Sequence, residues 1–75
     1  MKTTFKYVFS FIEYNTRLCE KKYRTKTLHL PRELFDHYDV DGMMRAFRSE
    51  ERKFTFSDST VTVKTIKVGR TEFQI

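Results

Sequence analysis

Phe5-Lys6-Tyr7-Val8-Phe9-Ser10-Phe11-Ile12 sets an aromatic ring at every second residue. Strand side chains repeat with a period of two, so all four rings point to one face of a β-strand. The other face holds Lys6, Val8, Ser10 and Ile12, a mixture of charge and aliphatic surface. The stretch reads as a central strand whose aromatic side is core.

Working outward, Asn15-Thr16-Arg17 reads as a three-residue turn, since Asn tolerates the left-handed backbone such loops use. That turn pairs Phe11 with Lys21, Phe9 with Tyr23, Tyr7 with Thr25 and Phe5 with Thr27, and brings Tyr23 to the aromatic face. On the opposite face it sets Lys6 against Lys26, Val8 against Arg24, Ser10 against Lys22 and Ile12 against Glu20. A two-residue turn would put Lys22 and Glu20 on the core face, which disfavours it. The predicted outcome is a strip of Lys6, Lys22, Arg24 and Lys26 on one solvated face. Arg17 and Lys21 lie near its turn, and Lys64 and Lys67 can join from a neighbouring strand. Lys6 opposite Lys26 is repulsive unless solvent or an anion intervenes.

Pro31 ends the second strand and suits the first turn of a helix, with Glu33 and Asp36 favourable near its N-terminus. Leu34, Phe35 and Tyr38 mark one buried stripe, and Val40, Met43, Met44 and Phe47 a second at i, i+3, i+4, i+7. At about 100° per residue the two stripes point in nearly opposite directions, so one straight helix cannot bury both. A break at Tyr38 to Asp41 is expected, with Asp39 capping the second helix and Gly42 weakening it locally.

Further on, Phe54-Thr55-Phe56 alternates and Val61 to Val68 is a strong β run. A turn at Asp58-Ser59 would pair Phe56 with Val61 and Phe54 with Val63. Gly69-Arg70 reads as another turn, setting Ile66 opposite Phe73, Lys67 opposite Glu72 and Lys64 opposite Ile75. Val61 and Val63 have opposite parity to Ile66 and Val68, so both faces are partly apolar unless a bulge shifts the phase. The expected architecture is α+β, a single domain over residues 1–75: a small antiparallel sheet, ββ-αα-ββ(β), with two short helices on its aromatic face.

A chain of 75 residues buries only about 60% of its unfolded surface. Eight Phe and four Tyr supply the area an independent core needs. The single Cys excludes an intrachain disulfide and suggests a reducing compartment. Neither the apolar run of about 7–15 residues of a signal peptide nor the ~18 of a membrane span is present, so a cytoplasmic protein without membrane attachment is expected. The net charge of +5 is unevenly spread. Residues 31–51 hold three Lys/Arg against six Asp/Glu, whereas residues 1–30 hold seven against two and residues 52–75 five against two. The strand segments are therefore basic and the helical segment acidic, an asymmetry suited to a polyanionic partner on the sheet.

Few constellations carry chemistry. His37-Tyr38-Asp39-Val40-Asp41-Gly42 has the oxygen spacing and glycine of half a calcium loop, but Arg48 stands where the bidentate Glu belongs. Cys19, His29 and His37 form no paired zinc motif, and a Cys19–His29 nucleophilic pair has no supporting feature. The acidic residues Glu33, Asp36, Asp39 and Asp41 are explained as caps and helix-dipole partners. No glycine-rich phosphate cradle exists. No catalytic residue, metal or cofactor is expected, and the chain is not expected to be an enzyme.

What remains is the basic sheet face. Its candidate contact residues are Lys6, Arg17, Lys21, Lys22, Arg24, Lys26, Lys64 and Lys67, which would neutralise phosphates without reading bases. The expected partner is nucleic acid or a nucleoprotein complex. Aromatics on the core face cannot stack on bases, which leaves Tyr14 alone nearby. The alternative is a protein-interaction module that meets an acidic protein surface, with Val8, Ile12, Ile66, Val68, Phe73 and Ile75 forming an apolar patch within a basic rim. A small standalone basic α+β chain looks like the accessory proteins of phages and mobile elements, such as anti-restriction or anti-CRISPR inhibitors. That likeness lies in size and composition and implies an inhibitor acting by surface contact. A homodimer through an exposed strand or sheet face is compatible with either reading.

Overall fold

In the computed structural model, which describes residues 4–55 and 58–75, the alternating aromatic stretch lies within β1, Thr4–Asn15. The chain continues through β2 (Glu20–Pro31), α1 (Arg32–Asp36), α2 (Val40–Glu51), β3 (Ser59–Val68) and β4 (Thr71–Gln74). The four strands form one antiparallel sheet in the order β2-β1-β3-β4, so the aromatic strand is internal. The α+β architecture and the ββ-αα-ββ order agree with the sequence. The Phe54-Thr55-Phe56 strand does not form at its described residues: Phe54 lies in the connection after α2, with its ring on Phe11 and Phe47. Phe54 therefore does not pair with Val63, whose partner is Phe11 of β1; Phe56 lies outside the described residues.

Both helices cover the aromatic face. Tyr7, Phe9 and Phe11 are buried with Met43, Phe47, Val61, Val63, Ile66 and Val68, and Phe5 and Met44 pack partly buried against them. The Phe9 and Phe11 rings lie 4.9 and 5.4 Å from Phe47. The four β3 residues share this face despite their mixed parity. Ser10 pairs with Thr65 but Phe11 with Val63, so Lys64 is the extra residue of a β-bulge that shifts the phase. The Gly69-Arg70 turn forms with Gly69 at φ 60°, setting Ile66 opposite Phe73 and Lys67 opposite Glu72.

The helical break falls where the opposed stripes require it. Asp39 N–H donates to Leu34 O (2.8 Å) and Tyr38 N–H to Phe35 O (2.9 Å), the paired bonds of a Schellman ending. Tyr38 takes the left-handed position, φ 49°, that usually falls to glycine. It is exposed rather than buried as its stripe implied, though its ring meets Phe35 and Phe73 edge-on. Asp39 caps α2 by accepting from Gly42 N–H at 2.9 Å. Gly42 does more than weaken the helix, because a Cβ there would collide with the capping carboxylate. Tyr7 ties α1 to the sheet: its hydroxyl donates to Pro31 O (2.8 Å) and accepts from Phe35 N–H (3.1 Å). Burial pushes the Tyr7 phenol above its ordinary pKa, against the smaller opposing effect of the Phe35 hydrogen bond.

Candidate functional site

The β1–β2 register decides where the cations stand. The loop has four residues, Thr16 to Cys19, closed by Leu18 N–H donating to Asn15 Oδ1 (2.9 Å) and by Cys19 at φ 54°. Thr16 anchors it to the start of β3, its hydroxyl donating to Asp58 O at 2.8 Å. Phe11 thus pairs with Arg24, Phe9 with Lys26, Tyr7 with Leu28 and Phe5 with Leu30. This differs from the three-residue turn by an odd number, so every β2 side chain changes face.

The predicted strip of Lys6, Lys22, Arg24 and Lys26 is therefore divided. Lys22, Arg24 and Lys26 lie on the inner, helix-bearing face, while Lys6 is on the open face opposite His29 rather than Lys26. Arg24 is a structural residue. Its guanidinium pairs with Glu13 at 2.5 Å, donates to Phe54 O at 3.0 Å and lies 5.8 Å from the Phe11 ring. Glu13 is only 5% exposed and Arg24 half-buried, so the pair belongs to the packed part of the inner face. Lys26 Nζ sits 5.1 Å from the Phe54 ring. Lys22 is exposed at the rim of an inner-face depression of about 340 Å³ that Glu13, Arg24, Phe54 and Ser59 also line. Arg17 is exposed in the β1–β2 loop.

Lys6, Lys21, Lys64 and Lys67 all reach the open face, which no helix of the described residues covers. Lys21 stands opposite Tyr14 and Lys67 opposite Val8. The bulge turns Lys64 outward beside Thr65. All four lysines are exposed, and none of them is in an ion pair among the described residues. The ion pairs there are Arg24–Glu13 on the inner face and Arg32–Asp36, Arg48–Glu51 and Lys53–Glu50 in the helical region.

Sequence reasoning missed Tyr23. The register change moves it out of the expected core to the open face, opposite Ile12 and 79% exposed. Tyr14 lies diagonally across from it, 39% exposed. Between β2 and β3, Tyr23, Ser10, Thr25, Lys64 and Thr65 line an open depression of about 440 Å³. Of the expected apolar patch, Val8 and Ile12 stand on the open face, Ile66 and Val68 are buried on the inner face where Phe73 pairs with Ile66, and Ile75 is 52% exposed just past the end of β4.

Cys19 is an exposed free thiol in the loop, and ten residues of extended strand, about 30 Å, separate it from His29. A Cys19–His29 pair cannot form within this chain. Among the described residues no three His, Cys, Asp or Glu side chains gather as a metal group, and no helix is long and apolar enough to cross a membrane. Comparison of the chain with protein-family models, curated proteins and solved structures finds no match.

Proposed function

We propose that this chain is a non-enzymatic, cytoplasmic binding protein whose open sheet face engages nucleic acid or a nucleoprotein complex. The observation that carries the reading is charge segregation. Lys6, Lys21, Lys64 and Lys67 share an uncovered face without ion pairs among the described residues, while the net-negative segment 31–51 packs on the other face. Such a field orients an approaching polyanion toward the sheet. Arg17 extends the basic surface at the loop, whereas Lys22, Arg24 and Lys26 belong to the far face and play no part in the contact.

The test is binding of labelled oligonucleotides across a salt series. Contacts to several phosphates make log K fall linearly with log salt, by about 0.7–0.9 per phosphate. Lys6→Glu with Lys64→Glu and Lys67→Glu should abolish binding, and Arg45→Glu with Arg52→Glu should not. Arg48 is unsuitable for that control because it donates to Val61 O and tethers α2 to β3. Absence of binding at low salt, or loss of it only in the helix-side variant, overturns the proposal.

A protein-contact reading, with an acidic partner inhibited in the manner of a phage or mobile-element accessory protein, is supported by Val8 and Ile12. Both are half-buried aliphatic residues within the lysine rim. It gains ground if the open-face variants fold but no nucleic acid binds.

A further inference from the structure

Resting on the nucleic-acid reading of the same face, we infer that its ligand is a single strand whose bases stack on Tyr23 and Tyr14. The two rings are diagonal neighbours across β1 and β2, within reach of one another along the sheet. Base stacking within a duplex hides base faces from a flat protein surface, whereas an unpaired strand offers them. Cations flank the rings along the sheet. Lys21 is opposite Tyr14, and Lys64 shares the depression beside Tyr23. Lys67 and Lys6 continue the line toward the other end of β1. From the Tyr14 row to the Lys6 row is eight residues of strand, about 26 Å, long enough for several nucleotides. Hydroxyls of Ser10, Thr25 and Thr65 line the depression between the ring and Lys64, polar groups suited to a sugar–phosphate backbone. Charge complementarity and exposed rings on one uncovered face thus favour a single strand over a duplex or an acidic protein.

The experiment compares oligothymidylate, a duplex of equal length and heparin, a polyanion without bases, by fluorescence anisotropy. The chain has four Tyr and no Trp, so quenching of its intrinsic tyrosine emission reports stacking directly. We expect oligothymidylate to bind more tightly than duplex and to quench that emission. Tyr23→Ala should weaken oligothymidylate binding by roughly ten- to a hundredfold while leaving heparin binding and the salt slope unchanged. Tyr23→Phe, which keeps the ring, should bind as wild type. The open-face position of Tyr23 makes these variants compatible with folding, checked by thermal unfolding. Wild-type affinity of Tyr23→Ala, or duplex binding equal to single-strand binding, overturns the stacking inference and leaves the phosphate reading standing. Failure of all three polyanions to bind at low salt overturns both, and an acidic protein surface then remains as the partner.

Discussion

The two faces of this sheet are made by the same strands and treat their charges in opposite ways. On the inner face each half-buried cation of β2 is engaged: Arg24 with Glu13 and the Phe54 carbonyl, Lys26 with the Phe54 ring. On the open face the four lysines, Lys67 with Glu72 across from it on β4, stand without ion pairs among the described residues. By composition Arg24 and Lys21 are equivalent positive residues of one strand. The parity of their positions separates a packing role from a binding role. Pairing register therefore decides which of the basic residues can meet a partner.

The contrast breaks most visibly at adjacent β1 residues. Phe9 is fully buried against Phe47, so Phe9→Ala should cost roughly 3–5 kcal/mol, enough to unfold a small domain. Val8→Ala, one residue away on the open face, should cost under about 1 kcal/mol. Urea unfolding of the two variants measures the difference, and comparable losses would mean that the open face is covered. The next effect is at Arg24. Removing it by Arg24→Ala strips a cation from a buried carboxylate, for which about 2 kcal/mol is expected, discounted because Arg24 is itself 38% exposed at its side chain. Lys21→Ala on the other face should change stability by less than about 0.5 kcal/mol. Equal values would deny Arg24 its structural role and return it to the candidate contact surface.

Much of this contrast is legible in the sequence. Rings at alternate positions name the inner face of β1, opposed helical stripes locate the break, and the parity switch between Val63 and Ile66 announces the bulge. The β2 register is not legible in the same way, because Glu20 to Thr27 alternate charged and polar residues with no decisive apolar face. Tyr23 is the only ring in that run, and its apolar area argues for the inner face. Two signals favour the other register: Leu28 and Leu30 share parity with Arg24 and Lys26, and Glu13 continues the aromatic parity of β1 and so demands an inner-face cation. The candidate site inherits the difference. Lys6, Lys64 and Lys67 stand on the open face, and the register brings Lys21 and Tyr23 to join them. The same step takes Lys22, Arg24 and Lys26 away to the inner face.

A pH prediction separates the faces further. The folded-state pKa of Tyr7 is raised above its unfolded value, chiefly by burial. The neutral phenol is thus the form the fold favours. Its contribution is complete below the unfolded pKa near 10 and is lost as pH rises through the higher folded value. Thermal midpoints should fall above about pH 10, and Tyr7→Phe should remove that part of the decline. The substitution should itself cost about 1–2 kcal/mol at neutral pH, because Pro31 O and Phe35 N–H lose their partner. An unchanged alkaline limb in Tyr7→Phe would assign the decline to other groups.

The smallest difference is the most direct comparison of a lysine on each face. Lys26 places its ammonium 5.1 Å from the Phe54 ring, and Phe54 is held in place by the Arg24 bond to its carbonyl and by contacts with Phe11 and Phe47. A fixed ring makes the cation–π attraction worth about 0.5–1 kcal/mol at a partly exposed site. Lys67 is exposed opposite Val8, with no ring contact of this kind among the described residues. Lys26→Gln should therefore destabilise by that amount and Lys67→Gln by almost nothing, while polyanion binding should respond in the reverse order. A double-mutant cycle of Lys26→Gln with Phe54→Leu isolates the ring contribution from general charge effects. If the coupling vanishes and Lys26→Gln weakens polyanion binding as much as Lys67→Gln does, the inner-face lysine is as available to a partner as the open-face one, and the division of roles between the faces does not hold.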